Sequence, residues 1–146
     1  MRNLFLVLGV LFVTPVTAQS IPSKEGAKSE EFCAKEWTKR GQLDTSMYQF
    51  CLREEAEGYE ELASLARKYN DQPWMQAALK FSLEKWTKRG VRQDSMVAFT
   101  FKQIAEGWED LAYESKQSGF DKNKAAACIS KWAPQYNMVA FCYKKN

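Results

Sequence analysis

The four cysteines are the residues of this chain with the most definite chemistry. Cys33 and Cys51 lie in the first half of the sequence, and Cys128 and Cys142 lie near its end. In an oxidising compartment, four cysteines predict two disulfides with three conceivable connectivities. The sequence contains no histidine, which removes serine–histidine and cysteine–histidine nucleophile systems. We therefore interpret the cysteines as structural, and predict no cofactor and no metal site.

Carboxylates are the remaining catalytic option. One acidic run comprises Glu54, Glu55, Glu57, Glu60 and Glu61, and it is partly echoed by Glu106, Glu109 and Asp110. Paired carboxylates cleave glycosidic bonds in many enzymes, but no spacing in these runs selects a pair. Lysine and arginine residues occur nearby, which is typical of a solvated helix face. We predict such a face and no enzymatic activity, and an enzyme that uses these acidic residues remains the alternative.

Two methionines stand four residues before a cysteine, Met47 before Cys51 and Met138 before Cys142. Thioether and thiolate sulfurs are ligands that Cu(I) prefers. A disulfide sulfur is not a thiolate, however, and methionine packs favourably against aromatic rings. We therefore interpret both methionines as packing residues near Trp37 and Trp132.

A basic segment is the best candidate for binding. Residues 37–41, Trp-Thr-Lys-Arg-Gly, recur unchanged as residues 86–90, whereas the third copy has Ala-Pro-Gln at residues 133–135. Arginine-led pairs at two equivalent hairpin tips would suit an acidic partner. The alternative is that these cations complete the C-terminal end of a helix, where positive charge is favoured. The candidate residues are Lys39, Arg40, Lys88 and Arg89.

The basic segment belongs to an internal repeat, which fixes the architecture. Residues 32–63 align with residues 81–112 at an offset of 49, and a shorter third copy follows. The middle copy has Ser82 and Thr100 at the two cysteine positions. Because both cysteines are missing together, we predict the pairs Cys33–Cys51 and Cys128–Cys142, each within one repeat. Each bond would contribute about 3 kcal/mol in the chain-entropy model.

The spacing of apolar residues predicts that each repeat is an antiparallel helical hairpin. Ser29 is a suitable N-cap for the first helix, Gly41 would end it, and Asp44 or Thr45 would cap the second. No alternating strand pattern is evident. The fold class is therefore all-α, with about six helices in three tandem hairpins at residues 29–70, 71–119 and 120–146. Gly58 and Gly107 recur in mid-helix, which predicts close approach of a neighbouring helix.

The first 18 residues have the three parts of a secretory signal peptide. Arg2 provides a positive charge, residues 4–13 are apolar, and Val16-Thr17-Ala18 is a small-residue cleavage site. Residues 19–28 follow as a flexible lead-in, and residues 29–146 form one helical repeat domain. The predicted mature chain has 20 basic and 18 acidic residues. This balance argues against nucleic acid, and no second apolar stretch predicts membrane insertion.

The Cys-x3-Trp and Met-x3-Cys elements resemble repeats of uncharacterised secreted proteins of Gram-negative bacteria. Residues 47–51 followed by residues 60–62 resemble a stretch of the LprI-type periplasmic lysozyme inhibitors, which are small helical domains with paired cysteines. The chain departs from that pattern in its longer Cys–Cys loops, its three copies and the absence of asparagine after Leu62. The resemblance transfers no inhibitor residue to this chain.

These observations favour a periplasmic or secreted, non-enzymatic protein-interaction module. Stacked hairpin repeats present an extended surface, and such surfaces commonly bind macromolecules. The expected partner is an extracytoplasmic protein or a cell-wall component. An inhibitor of a cell-wall hydrolase is the first alternative, and an enzyme that uses acidic residues is the second.

Export of the full chain from a Gram-negative host tests the predicted signal peptide. We expect the exported protein to begin at Gln19 with two disulfides, because cleavage follows the small-residue site. Intact-mass spectrometry before and after reduction measures both features. Retention of residues 1–18 in the exported protein would contradict the prediction.

Overall fold

The computed structural model describes residues 21–145, of which 71% are helical, so the predicted all-α class is confirmed. The predicted signal peptide, residues 1–18, and the first two residues of the lead-in lie outside the described residues. The described part contains six α-helices: α1 (Ser29–Trp37), α2 (Thr45–Lys68), α3 (Met75–Trp86), α4 (Asp94–Glu114), α5 (Lys122–Trp132) and α6 (Tyr136–Lys144).

The helices form three consecutive hairpins, α1–α2, α3–α4 and α5–α6. The second helices of the hairpins also pack on each other, with α4 between α2 and α6. The helix α4 therefore has three helical neighbours and is buried on most sides. Its buried side chains include Val97, Ala98, Phe101, Ile104 and Ala105. The helical spacing within one hairpin did not reveal this set, because it indicates only the face that meets the partner helix.

Two helix starts are capped by aspartate side chains, and one of them is the predicted cap at Asp44. The Asp44 carboxylate accepts a hydrogen bond from the Met47 amide, and Asp121 accepts bonds from the amides of Asn123 and Lys124. The predicted N-cap at Ser29 is wrong by one residue. Lys28 precedes α1 in the left-handed conformation, and Ser29 is the first helical residue.

The two basic segments form β-ribbons, which corrects the prediction that they extend a helix to glycine. The strand β1 (Thr38–Lys39) pairs with β2 (Gln42–Leu43), and β3 (Thr87–Lys88) pairs with β4 (Val91–Arg92). The turn residues Arg40 and Gly41 both have positive φ, 52° and 78°, and the second ribbon has the same turn. Tight two-residue hairpins require this geometry.

Both predicted disulfides are present, Cys33–Cys51 and Cys128–Cys142. The middle repeat has hydrogen bonds at the corresponding positions. Ser82 donates to the carbonyl oxygen of Ala78 at 2.8 Å, and the Trp86 indole donates to the hydroxyl of Thr100 at 2.7 Å. The covalent link between the two helices of the first repeat is thus matched in the second by a tryptophan–threonine contact.

The mid-helix glycines mark the contacts between repeats, as the sequence predicts. A methyl group on Gly58 would lie 2.3 Å from the Cα atom of Ser95, at the start of α4. A methyl group on Gly107 would lie 2.2 Å from the backbone nitrogen of Asn137, at the start of α6. In both joints, the first turn of one helix therefore lies directly against the middle of the preceding long helix.

The described part of the predicted lead-in is folded onto the domain. Residues Glu25–Ala27 form a 3-10 turn, and Ala27 is fully buried. Ile21 packs against the main core, and the carbonyl oxygen of Ser23 accepts a hydrogen bond from Arg92. The polar composition of this segment hides these contacts, since two apolar side chains and one carbonyl are sufficient to dock it.

Replacement of Gly58 by alanine tests the joint between the first two repeats. Alanine normally stabilises a helix by about 1 kcal/mol relative to glycine. Here we expect destabilisation by about 3 kcal/mol, because the added methyl group would overlap backbone atoms that cannot rotate away. Urea unfolding of Gly58→Ala measures the change. The matched control is Ser64→Ala, at an exposed position further along α2. Unchanged or raised stability of Gly58→Ala would contradict the proposed packing.

Candidate binding surface

The two basic turns have different surroundings. Lys39 and Arg40 are exposed, and the Lys39 ammonium lies 5.7 Å from the centre of the Trp37 ring in its own repeat. Lys88 and Arg89 are also exposed, but they line a cleft with residues of α1 that include Glu31 and Glu36. The repeat therefore does not make the two pairs equivalent as binding sites.

Glu55 is buried, which corrects the prediction of a uniformly solvated acidic run. Only 3% of the Glu55 surface is exposed to solvent. Its carboxylate accepts hydrogen bonds from the Asp94 amide and the Ser95 hydroxyl. Glu55 thus supplies acceptors at the start of α4 from a different helix, α2. Helical periodicity predicts that Glu55 faces inward. It does not indicate that the start of another helix lies opposite this residue.

A buried ion pair completes this polar joint. The Arg92 guanidinium donates two hydrogen bonds to the Asp94 carboxylate, and both side chains are at least 95% buried. Arg92 also donates to the carbonyl oxygen of Ser23 at 2.9 Å. Burial raises the pKa of the Glu55 carboxyl, and its hydrogen bonds from Ser95 and the backbone oppose that rise. The joint therefore holds two carboxylates and one guanidinium away from water.

Two salt bridges between neighbouring helices occur at equivalent positions of the repeats. Glu61 pairs with Lys102 at 2.9 Å, and Asp110 pairs with Lys144 at 2.9 Å. Each pair links the second helices of adjacent repeats, and all four side chains are about half exposed. Such exposed pairs contribute only about 0.2–1 kcal/mol each. They report the register of the stack more than they stabilise it.

A third contact links the C-terminal end of α2 to α4. The Glu109 carboxylate accepts hydrogen bonds from the Tyr69 hydroxyl at 2.6 Å and from the Lys68 ammonium at 3.0 Å. The bond from Tyr69 is the largest cause that lowers the pKa of Glu109, and burial raises the pKa of Tyr69. Lys68 and Glu109 are more than half exposed. We interpret the contact as structural.

One phenylalanine per repeat is exposed at an equivalent position of the second helix. Phe50, Phe99 and Phe141 expose 44%, 51% and 57% of their surface. The same exposed ring thus recurs on α2, α4 and α6, and we call these three residues the phenylalanine row. The alignment of the first two copies contained Phe50 and Phe99. The third member, Phe141, is found when Met138 and Cys142 are aligned with Met47 and Cys51 of the first repeat.

A groove lies between the first and second repeats, next to Phe50. It has a volume of about 410 Å³, and its aromatic lining comes from Phe32, Trp37 and Phe50. Glu36 and Glu54 also line it, and Glu55 forms part of its floor. On the side of the second repeat, α4 and the residue before it contribute Gln93, Ser95 and Met96. We call this the aromatic–acidic groove.

Comparison with known proteins does not assign the chain to a family. No family model matches it, and neither a curated protein nor a solved structure is significantly similar. Within residues 21–145, no helix has the length and apolar character needed to cross a bilayer. The same residues contain no group of three or more side chains suited to hold a metal ion.

The pH dependence of stability tests the burial of Glu55. Because the folded state raises the pKa of Glu55, the folded protein binds more protons there than the unfolded chain just above the usual carboxyl pKa. The contribution of Glu55 to stability should therefore fall as pH rises through this window. The variant Glu55→Gln lacks this titration, and its amide cannot accept both bonds, which should cost about 1–3 kcal/mol.

Urea unfolding of both proteins between pH 4 and pH 7 measures this effect by difference. We expect the stability advantage of the wild type over Glu55→Gln to shrink as pH rises. All other carboxylates are common to both proteins and cancel in the difference. An advantage that is constant or grows with pH would contradict the raised pKa.

Proposed function

We propose that this protein is a non-enzymatic interaction module of the periplasm or extracellular space, and that the phenylalanine row is its principal contact surface. The observation that carries the proposal is the exposure of one large apolar ring at the same position of three adjacent helices. Aromatic residues are enriched at protein interfaces, and an exposed ring that recurs in every repeat provides regularly spaced contacts, whereas single exposed apolar residues are ordinary.

The geometry of the stack defines what the row would contact. Adjacent second helices are staggered, because Ser95 lies against Gly58, about 12 residues beyond its own counterpart in α2. With a rise of about 1.5 Å per residue and about 8–10 Å between helix axes, neighbouring rings lie roughly 20 Å apart. Side chains on one face recur at about 20 Å along a strand at every sixth residue, and along a helix at every fourteenth. A partner segment with either spacing would meet all three rings. Arg53 and Lys145 stack on Phe50 and Phe141, which leaves the ring of Phe99 without a stacked cation among the described residues.

The disulfides support the proposed location. Each bond joins two cysteines of one repeat, and Cys33 and Cys128 are buried. Such structural disulfides persist in oxidising compartments. Together with the predicted signal peptide, they favour the periplasm or the extracellular space. The proposed partner is then an extracytoplasmic protein or a cell-wall component.

Affinity capture with an altered row tests this function. The bait is the oxidised mature chain, and the variant is Phe50→Ser, Phe99→Ser and Phe141→Ser combined. Since all three rings are exposed, we expect a folded variant that binds the captured partner at least about tenfold more weakly. The matched control is Tyr113→Ser, which removes a 65% exposed ring outside the row.

Binding of the purified partner is measured by calorimetry for the wild type, the row variant and the control. Equal affinity of the row variant and the wild type would refute the role of the row. Capture of a peptidoglycan hydrolase that the protein then slows at stoichiometric amounts would identify the module as an inhibitor.

A further inference from the structure

Lysine side chains lie over the tryptophans of the second and third repeats. Lys85 lies 5.5 Å from the centre of the Trp86 ring and 5.9 Å from that of Phe81. Lys131 lies 5.3 Å from the centre of the Trp132 ring. In each repeat the lysine immediately precedes the tryptophan in sequence. A cation over aromatic faces is thus a regular feature of this position.

The first repeat has glutamate at this position. Glu36 precedes Trp37, and Phe32 and Trp37 correspond to the two rings that Lys85 covers in the second repeat. The change extends along the groove. Where the groove has Glu36, Glu54 and Glu55, the second repeat has Lys85, Gln103 and Ile104. Three carboxylates therefore distinguish the aromatic–acidic groove from the corresponding surface one repeat further on.

The carboxylates at the mouth of the groove have no partner within residues 21–145. Glu36 and Glu54 are exposed, and neither forms an ion pair or a side-chain hydrogen bond among the described residues. Basic groups lie close by, but none of them forms an ion pair with Glu36 or Glu54 among the described residues. Lys39 lies over Trp37 from the first turn, and Lys88 and Arg89 line the adjoining cleft.

We propose that the aromatic–acidic groove binds a lysine or arginine side chain of the partner polypeptide. The cation would lie between the carboxylates of Glu36 and Glu54 and the rings of Phe32 and Trp37, as Lys85 lies over its own rings. This inference rests on the proposed function and names the chemistry that the partner must present. Guanidinium groups suit such a site best, because they stack on rings and pair with carboxylates together.

The shape of the groove favours a side chain over a free small cation. Pockets for small molecules enclose most of the ligand surface. Here Phe50, Glu36 and Glu54 are all exposed, so the groove is open to solvent along its length. Phe50 belongs to the phenylalanine row as well as to the groove. A polypeptide that lies on the row would therefore bring its basic side chains directly to the carboxylates.

The test uses the oxidised mature protein labelled with nitrogen-15 and a defined probe, acetyl-Gly-Arg-Gly amide. Its counterpart contains citrulline, which has the same shape without the charge. We expect the arginine peptide to shift the Trp37 indole resonance in a saturable way, and the citrulline peptide to leave it unchanged. The Trp86 indole, which donates to Thr100 beneath its own lysine, is the internal control.

Substitutions at Glu36 separate charge from shape. Glu36→Gln removes one carboxylate and should weaken the arginine peptide about threefold, within the range for one exposed ion pair. Glu36→Lys should weaken binding of the arginine peptide at least about tenfold, because the new lysine would lie over the rings of Phe32 and Trp37 as Lys85 lies over its own rings. The control Glu60→Lys makes the same charge change on an exposed part of α2 and should change affinity less than about twofold.

The outcomes distinguish this inference from the proposed function. If the citrulline peptide binds as well as the arginine peptide, or if Glu36→Lys has no effect, the inference is wrong. Choline tests the source of the cation, and tighter binding of choline than of the peptide would overturn the assignment to a side chain. If the row variant loses the captured partner while Glu36→Lys retains full affinity for it, the interaction module stands and the groove has no part in it.

Discussion

The contact between the first turn of a helix and a glycine in the middle of the preceding long helix holds the repeats in register. At Gly58 and Gly107 the backbones approach so closely that a single methyl group would overlap the neighbouring chain. This approach places α2, α4 and α6 side by side. The Glu61–Lys102 and Asp110–Lys144 pairs then form at equivalent positions of the two joints, and each second helix exposes its phenylalanine at the same repeat position.

The two joints use the same backbone geometry with different side chains. The first joint is polar, because Glu55 accepts hydrogen bonds from the start of α4 and a buried ion pair joins Arg92 and Asp94 beside it. The second is aromatic, with Ile104 in place of Glu55 and an edge-to-face contact between Trp108 and Tyr136, whose ring centres are 4.9 Å apart. Ionic groups away from water specify a unique arrangement in some proteins. The polar joint also brings carboxylates to the floor of the groove between the first two repeats.

Position in the stack explains where covalent links occur. The middle repeat contacts both neighbours through α4, and the main core forms around that helix. The first and third repeats each contact one neighbouring repeat in the described chain, and they contain the two disulfides. A repeat with one interface gains less from nearest-neighbour packing than a repeat with two. A bond that restricts its unfolded chain compensates for part of that difference.

The sequence alone determined the repeat, the helical hairpins, the pairing of the cysteines and the close approach at the two glycines. These features follow from local spacing and from comparison of the copies, which require no knowledge of what lies opposite a residue. The short β-ribbons escaped prediction, because two-residue strands show no alternation and Arg40 occupies a left-handed position that favours asparagine or glycine. The burial of Glu55, the phenylalanine row and the aromatic–acidic groove were decided by the tertiary structure. Each of them depends on which side chains neighbouring helices bring together, and that information is not contained in the periodicity of any single helix.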